Sequence, residues 1–265
     1  MIVTQQQPAW TDASTWALDL DGVVWTGHDP IAGSAEAVAR LKALGRHVVF
    51  VTNNSWSSMS EQEAKLASFG IDASGSVISS AMAAASLVEA DEAVFVLGGP
   101  GVDEAVNARG GHVLDVSNAS SADTVVVGLD WALSYERLIA AVQAILGGAR
   151  FVATNTDRTY PTERGLFPGA GAIVAAVQTA TGREPIVAGK PEEPAAELVR
   201  ARYGASGVMV GDRPETDGDF AVALGYGFAL VMSGVTGPSN LPVTPTPVVV
   251  GDDLMSLVSL LASAP

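Results

Sequence analysis

The chain has 265 residues, of which 48% are apolar, and these values predict a globular protein with a large buried core. Its 29 acidic and 14 basic residues give a formal net charge of -15, which excludes nucleic acid and anionic lipid as primary partners because a polyanion would be repelled. The chain contains no cysteine and no apolar run of the ~18 to 20 residues that span a membrane, so we exclude disulfides and thiolate metal sites and expect a soluble, cytoplasmic protein.

Short runs of β-branched residues alternate with amphipathic stretches at both ends of the chain. The first part predicts strands at residues 16–20 and 47–51, with helices at 34–44 and 60–69. The last part predicts strands at 185–188, 207–210, 228–231 and 248–250, with helices at 194–203, between the later strands and at the end. Because strands that alternate with helices form parallel sheets, the two ends together predict one doubly wound α/β sheet.

The middle of the chain has an alternation of its own. It predicts strands at residues 93–97, 124–127 and 150–153 and helices at 103–108, 135–146 and 171–181. This pattern indicates a second α/β unit that is inserted into the first. We therefore predict a core formed by residues 1–78 and 184–265, and an inserted unit formed by residues 79–183.

Two carboxylates follow the first predicted strand. Asp19 and Asp21 are two residues apart, so their side chains point to the same side as the chain leaves the sheet at Gly22. They could form a turn, a metal-binding loop, or a catalytic pair in which one carboxylate is a nucleophile and the other an acid or base. The pair alone leaves these alternatives open.

Three further motifs follow later predicted strands. The segment Thr52-Asn53-Asn54-Ser55 offers a hydroxyl, amides and backbone N–H groups that can hold phosphate or cap the next helix. Lys190 stands between a glycine and a proline that opens a helix, where it could offset negative charge or simply be solvated. Asp212 and Asp217 offer the oxygen ligands that Mg²⁺ prefers. Ligands bind at the carboxyl ends of strands in open α/β sheets, so these positions themselves indicate a site.

The four motifs, in this order and over nearly the whole chain, resemble those of the haloacid dehalogenase superfamily, and specifically its subclass IIA phosphatases, typified by p-nitrophenyl phosphatases. The resemblance implies a Rossmann-like core with an inserted α/β cap domain, a Mg²⁺ cofactor and an aspartyl-phosphate intermediate. It implies that Asp19 is the nucleophile and that Asp21 is the general acid and then the base. In one departure, Gly218 and Asp219 follow Asp217 where many relatives have isoleucine, which leaves the packing of that helix and the role of Asp219 open.

The same resemblance assigns roles to the other motif residues. Thr52, with Asn53 and Asn54, binds the substrate's phosphoryl group, and Lys190 is the catalytic lysine that neutralises the nucleophile and the phosphate. The implied ligands of Mg²⁺ are Asp19, Asp21 through its backbone carbonyl, and Asp212, with Asp217 as a supporting carboxylate.

The inserted unit is similar to the cap of subclass IIA, which lies between the second and third motifs. Residues 154–161 and 165–169 also look like the cap pattern of this subclass. Such residues bias substrate choice in the family, so we predict Asp157, Arg158 and Tyr160 as substrate-binding residues, with Arg164 as a further candidate. Relatives often pair through their caps, which implies a homodimer.

These observations predict a Mg²⁺-dependent phosphatase that hydrolyses a small phosphorylated metabolite. One alternative is a phosphotransferase or phosphomutase that uses the same aspartyl-phosphate. Another is a non-catalytic protein that binds a phosphate ligand. The residues do not choose among glycerol phosphate, phosphoglycolate, nucleotide, sugar phosphate and pyridoxal phosphate substrates.

Other signals predict structure only. The three histidines show no metal-binding spacing. The glycine-rich residues 98–101 match no nucleotide-binding motif and predict a plain turn. Trp25 and Trp56 follow two of the motifs and could line a cleft or pack in the core.

Overall fold

A computed structural model describes residues 10–162 and 164–261. Internal contacts divide the chain into two compact units. The first contains the described residues up to Val51, then Lys65–Val77 and the residues from Ala196 onward, and the second contains Thr52–Ala64 and Ile78–Ala195. The predicted borders at residues 79 and 183 stay a prediction. Among the described residues, no helix is both long and apolar enough to cross a membrane.

The elements alternate along the chain as an α/β fold requires. The strands are β1 (Thr15–Leu18), β2 (Trp25–Thr26), β3 (Asp29–Pro30), β4 (His47–Thr52), β5 (Val77–Ser79), β6 (Ala93–Leu97), β7 (His112–Leu114), β8 (Thr124–Val127), β9 (Arg150–Ala153), β10 (Thr159–Thr162), β11 (Gly165–Pro168), β12 (Ile186–Val187), β13 (Gly207–Gly211), β14 (Gly227–Val231) and β15 (Val249–Gly251). The helices are α1 (Ser34–Ala43), α2 (Met59–Ser68), α3 (Ser80–Ala85), α4 (Pro100–Ala108), α5 (Tyr135–Leu146), α6 (Ala170–Thr181), α7 (Glu193–Tyr203), α8 (Asp219–Leu224) and α9 (Leu254–Leu261). The predicted α/β class is confirmed.

The first unit is built on a six-stranded sheet with the strand order β15-β14-β13-β1-β4-β5. Neighbouring strands from β15 to β4 run parallel. β1 and β13 are buried at every position, because the central strands of a parallel sheet are covered on both faces. Leu18 is in register with Val210 and with Phe50, so the residues that follow these three strands leave the sheet at one edge.

The second unit is built on a five-stranded sheet with the order β12-β9-β8-β6-β7, in which neighbouring strands are parallel. Apolar residues of α5 and α6, such as Ile145 and Val174, pack against strand residues such as Phe95 and Val125. Helix α5 begins after Ser134, which caps it. β10 and β11 form a separate antiparallel hairpin.

The predicted place of residues 185–188 in the sheet of the N-terminal strands is wrong. These residues form β12, which pairs with β9 at the edge of the five-stranded sheet, with Ile186 in register with Val152. The pairing continues past the strand, because the backbone N–H of Gly189 donates to the Thr154 carbonyl at 2.8 Å. A two-residue strand carries too little side-chain pattern to indicate its partner. The path of the chain therefore determines which sheet the strand joins.

The predicted plain turn at residues 98–101 is also wrong. Gly99 is the N-cap of α4 and Pro100 occupies its first turn, where a fixed φ and a missing N–H are favourable. A Cβ at Gly99 would lie 2.7 Å from an atom of the Trp56 indole ring. The backbone N–H of Gly101 donates to the Trp56 carbonyl at 2.9 Å. The glycines therefore let the start of α4 lie against the backbone that follows the second motif.

Candidate active site

An acidic cluster lies at the carboxyl edge of the six-stranded sheet. Asp19 follows β1 and Asp212 follows the neighbouring β13, and the backbone N–H of Asp19 donates to the Val210 carbonyl at 2.9 Å. Among the described residues, carboxylate oxygens of Asp19, Asp212 and Asp217 lie within 4.8 Å of one another. Asp212 and Asp217 are each 1% exposed, and Asp19 is 9% exposed. The sheet thus brings three buried acidic side chains into a small space.

Asp217 organises the loop that carries Asp212. Its Oδ2 accepts the backbone N–H groups of Asp212 at 3.2 Å and of Arg213 at 3.1 Å. Gly211 makes this approach possible, because a Cβ there would collide with the Asp217 side chain. The turn at Pro214–Gly218 has π-helical hydrogen bonding, which brings Asp217 back over the end of β13. The predicted supporting role of Asp217 stays a prediction, and its place in the cluster also makes it a candidate ligand.

Of the two residues after Asp217 that depart from the family pattern, Gly218 and Asp219, the structure explains the first. A Cβ at Gly218 would lie 2.8 Å from Cδ of Pro245, so a larger residue would displace the packed proline ring. Asp219 begins α8 and is exposed. Gly218 is therefore required by the close approach of Pro245, and nothing in the structure explains Asp219.

Two glycines make room for the Asp212 carboxylate. A Cβ at Gly22 would lie 2.7 Å from the Asp212 Cγ, and Gly22 also has a positive φ of 86°. A Cβ at Gly234 would collide with the same carboxylate. Beside it, the backbone N–H of Val235 donates to Asp212 Oδ2 at 2.5 Å. The glycine of the first motif thus serves both a left-handed turn and a close contact with the fourth motif.

Asp21 is exposed and is held by a neighbouring tryptophan. The indole Nε1–H of Trp25 donates to Asp21 Oδ1 at 2.9 Å, and the Trp25 side chain is buried. The Lys65 ammonium lies 3.9 Å from the Trp25 ring centroid and donates to the Gly27 carbonyl at 3.0 Å. Burial lowers the pKa of Lys65 below its ordinary value, and the negative charge of Asp21 opposes this shift.

In the second unit, Asn53 links the second motif to the third. Its Oδ1 accepts the backbone N–H of Lys190 at 2.9 Å, and its Nδ2 donates to the Lys190 carbonyl at 3.0 Å and to Asp157 Oδ2 at 3.1 Å. The Asn53 carbonyl in turn accepts Asn155 Nδ2 at 2.8 Å and the Ser80 hydroxyl at 2.7 Å. Asn53 is therefore an organising residue of this region, and its predicted contact with substrate stays a prediction.

Thr52 and Asn54 shape the turn that leaves β4. The Thr52 hydroxyl accepts the Asn54 backbone N–H at 3.1 Å. Asn54 Oδ1 accepts the backbone N–H groups of Trp56 at 3.0 Å and Ser57 at 3.2 Å. Both side chains thus satisfy the backbone locally, as Asx and Ser/Thr turns do. Their predicted contacts with a phosphoryl group remain to be tested.

Lys190 is a buried lysine. Its side chain is 4% exposed, so the alternative of a solvated surface lysine is excluded. A Cβ at the preceding Gly189 would lie 2.7 Å from Asn53 Oδ1, so the glycine allows the close approach of Asn53. A lysine is almost never buried unless its charge is compensated. This position is consistent with the predicted catalytic role.

The predicted substrate-binding residues of the inserted unit follow β9. Asp157 accepts the Asn53 amide described above, and its own backbone N–H donates to Asn155 Oδ1 at 3.1 Å. Arg158 and Arg164 are exposed, and the Arg164 guanidinium lies 5.6 Å from the Phe167 ring centroid. Tyr160 lies opposite Phe167 in the β10–β11 hairpin, and burial raises the pKa of its phenol.

Tyr160 belongs to an aromatic cluster that the sequence did not reveal. Trp131 is 61% exposed, and its ring centroid lies 6.4 Å from those of Trp56, Tyr160 and Phe167. The Trp131 turn is fixed by buried Asp130, which accepts the Ala132 backbone N–H at 2.7 Å and Arg137 Nε at 2.9 Å. We call Trp56, Trp131, Tyr160 and Phe167 the aromatic cluster. Trp131 follows the predicted strand 124–127, and that position at a strand's carboxyl end was the available signal.

Comparisons with known proteins identify the family. Residues 16–112 match a family model described as haloacid dehalogenase-like hydrolase. Residues 187–257 match a second model, of HAD-like hydrolases. The chain is 36% identical over 228 residues to a 5'-nucleotidase of Bacillus subtilis, which covers 83% of this chain and 88% of the relative.

Solved structures of two phosphatases agree with this assignment. The p-nitrophenyl phosphatase from Archaeoglobus fulgidus superposes with a TM-score of 0.88 at 32% identity, covering 94% of this chain and 99% of that one. The glycerol phosphate phosphatase from Mycobacterium tuberculosis in complex with magnesium superposes with a TM-score of 0.86 at 34% identity, covering 98% of this chain and 82% of that one. With the four motifs in order, these similarities show that the chain belongs to the haloacid dehalogenase-like hydrolases.

Proposed function

We propose that this protein is a Mg²⁺-dependent phosphatase that hydrolyses a small phosphomonoester through an aspartyl-phosphate on Asp19. The observation that carries the proposal is the buried cluster of Asp19, Asp212 and Asp217 at the carboxyl edge of the sheet. The named activities of the similar proteins, a 5'-nucleotidase and two phosphatases, support it.

The acidic cluster fits a bound Mg²⁺. Three carboxylates within 4.8 Å repel one another, and a hard divalent cation with oxygen ligands removes that repulsion. We assign Asp19, Asp212 and the backbone carbonyl of Asp21 as ligands, with Asp217 supporting them. The similar phosphatase from Mycobacterium tuberculosis was solved with magnesium. When bound, the ion would offset the negative charge of the phosphoryl oxygens.

Asp19 and Asp21 divide the reaction into two displacements. In the first, a carboxylate oxygen of Asp19 attacks phosphorus, the ester P–O bond breaks, and the Asp21 carboxyl gives its proton to the departing alkoxide. In the second, the Asp21 carboxylate takes a proton from water, the water oxygen attacks phosphorus, and the bond to Asp19 breaks to release phosphate. Both carboxylates end in their starting states.

We assign phosphate binding to the residues of the second and third motifs, Thr52, Asn53, Asn54 and Lys190. The Lys190 ammonium would offset charge on the transferring group, and the hydroxyl and backbone of the second motif would donate to its oxygens. These assignments rest on the family motifs. Supporting them, Asn53 holds the backbone of Lys190 through two hydrogen bonds, so the two motifs are already joined within one unit.

Labelled water tests hydrolysis against the two alternatives. With p-nitrophenyl phosphate in isotopically labelled water, we expect each released phosphate to carry one solvent oxygen and the p-nitrophenol to carry none, because the P–O bond is cleaved. A new phosphoester as the main product would instead indicate phosphoryl transfer. Phosphate without solvent oxygen would mean that the C–O bond is cleaved, which would contradict attack on phosphorus by Asp19. A non-catalytic binding protein would release no phosphate from any small ester, with or without Mg²⁺.

We further propose that the aromatic cluster contacts the leaving group and favours esters with a flat leaving group, such as nucleoside monophosphates. The cluster and the predicted phosphate-binding segment belong to the same unit, and Trp56 follows only two residues after Asn54. Trp131 presents a large aromatic surface to solvent. Base stacking on aromatic side chains contributes about 1–3 kcal/mol per base, enough to bias substrate choice.

Trp131→Ala tests this preference. We expect kcat/KM for AMP to fall about tenfold, which corresponds to about 1.4 kcal/mol, while kcat/KM for glycerol 3-phosphate changes little. Tyr135→Ala is the matched control, because Tyr135 is a 78% exposed aromatic residue of the same unit outside the cluster. Equal losses on both substrates, or no loss on AMP, would contradict a stacking role.

Two further properties stay predictions. One is the cytoplasmic location. The other is a homodimer formed through the inserted unit, which size-exclusion chromatography with light scattering would test.

A further inference from the structure

We propose that Trp25 is a positioning residue, whose indole N–H holds the Asp21 carboxylate in the orientation from which Asp21 exchanges protons with the leaving group. The inference rests on the proposed function, because it takes Asp21 to be the general acid. It assigns a task to a residue that the sequence placed only as a packing or cleft-lining side chain.

The backbone between Asp21 and Trp25 is tightly folded. The backbone N–H of Trp25 donates to the Leu20 carbonyl at 3.1 Å, and the N–H of Gly22 donates back to the Trp25 carbonyl at 2.7 Å. Asp21 and Trp25 also form an isolated bridge. This compact loop fixes the distance between the two residues and lets the indole N–H reach Asp21 Oδ1 at 2.9 Å.

The indole ring is fixed from its other sides. Trp25 is 4% exposed, and its ring centroid lies 5.9 Å from that of Phe69. The Lys65 ammonium lies over the ring and is itself tied to the Gly27 carbonyl. A tryptophan has one N–H donor, and here that donor is directed at Asp21. The donor is therefore a rigid part of the first unit.

An exposed aspartate needs such a partner if it is to act as a general acid. Free rotation about its side-chain bonds would spread the carboxyl over several orientations, and a proton donor must lie within hydrogen-bond reach of the atom it protonates. A hydrogen bond from a rigid donor to one carboxyl oxygen restricts that rotation and leaves the other oxygen to carry the proton. If Trp25 served packing alone, the direction of its N–H would have no effect on proton transfer.

Proton transfer matters to different degrees for different esters. An alkoxide is a poor leaving group and needs the proton of Asp21, whereas p-nitrophenolate is a stable anion and departs without one. Because kcat/KM reports the steps up to departure of the first product, it isolates the acid role of Asp21 from its later role as base. Misplacing Asp21 should therefore lower kcat/KM for alkyl phosphates much more than for the aryl phosphate.

The contact itself can be tested without turnover. The chain has five tryptophans, so the indole N–H region of a ¹⁵N spectrum is simple, and the signal missing from Trp25→Phe belongs to Trp25. We expect Asp21→Asn to move this signal upfield, because a charged acceptor is lost. Asp29→Asn, which removes an exposed carboxylate from the same hairpin, should cause a much smaller change. An unmoved Trp25 signal in Asp21→Asn would overturn the proposal even if the enzyme proved inactive.

The kinetic test uses Trp25→Phe, which keeps an aromatic ring and removes the donor. Since general acid catalysis contributes about 10²–10⁴-fold, we expect kcat/KM for AMP and glycerol 3-phosphate to fall at least about tenfold more than kcat/KM for p-nitrophenyl phosphate. Trp16→Phe is the matched control: Trp16 is a fully buried tryptophan of the same unit whose indole N–H has no acceptor among the described residues. It should leave the ratio of alkyl to aryl activity unchanged.

The outcomes separate this inference from the proposed function. A selective loss on alkyl phosphates in Trp25→Phe, together with the shifted indole signal, supports a positioning role. Equal losses on alkyl and aryl phosphates would reduce Trp25 to a packing residue and overturn the proposal. Absence of wild-type turnover on every ester would reject the phosphatase function, and with it the role of Trp25, whatever the indole signal showed.

Discussion

Asp19→Asn is expected to abolish hydrolysis of p-nitrophenyl phosphate while leaving the protein folded. In the proposed mechanism the carboxylate of Asp19 attacks phosphorus, and an amide of the same shape is a far weaker nucleophile. Removal of a catalytic nucleophile can lower kcat by about 10⁶-fold. Asparagine keeps one side-chain oxygen for Mg²⁺ and carries no charge, so we expect the substitution to relieve repulsion in the acidic cluster and not to unfold the protein.

The measurement combines turnover with two checks of the folded state. Far-UV circular dichroism should match the wild type, and Mg²⁺ should still raise the melting temperature, which excludes loss of metal as the cause. Brief reaction of the wild type followed by acid quenching should yield protein heavier by one phosphoryl group, and Asp19→Asn should not. Asp29→Asn, an exposed carboxylate of the same unit, is the control for charge. Turnover near the wild-type rate would remove Asp19 as the nucleophile.

The strongly periodic elements could be predicted from the sequence, and the short ones could not. Strands β6, β8 and β9 and helix α5 have the predicted bounds, because β-branched runs and a capped amphipathic helix are local signals. The β10–β11 hairpin was not predicted, since prolines within a run argue against a strand. Strand β12 was predicted but assigned to the six-stranded sheet, whereas it lies at the edge of the five-stranded sheet. Its two residues carry too little pattern to specify which sheet it joins.

The acidic cluster could be predicted because it depends only on sheet topology. Asp19 and Asp212 each follow a strand, and adjacent parallel strands bring such residues together whatever the intervening loops do. The contact of Trp25 with Asp21 depends instead on the detailed path of a four-residue loop. The cluster around Trp131 similarly depends on a hairpin and on the ion pair of buried Asp130 with partly exposed Arg137, which no local pattern encodes.

Asp212→Asn is expected to weaken Mg²⁺ binding strongly without preventing folding. The substitution removes one negative charge from the buried cluster but keeps a carbonyl oxygen that can accept the Val235 N–H, as Asp212 Oδ2 does. In the absence of Mg²⁺ the variant should be no less stable than the wild type, because two carboxylates repel less than three. With the metal, we expect the apparent dissociation constant to rise at least about tenfold, or about 1.4 kcal/mol.

Thermal unfolding in a Mg²⁺ titration measures this effect without relying on turnover. A ligand that binds the folded state stabilises it by RT ln(1 + [L]/Kd), so the Mg²⁺ concentration at which the melting temperature begins to rise reports the affinity directly. Asp252→Asn removes the same charge from an exposed position of the same unit and should leave that concentration unchanged. If the titration of Asp212→Asn coincides with that of the wild type, Asp212 is not a ligand. The metal would then have to be held by Asp19, the Asp21 backbone carbonyl and Asp217, with Asp217 giving up its hydrogen bonds to the loop backbone.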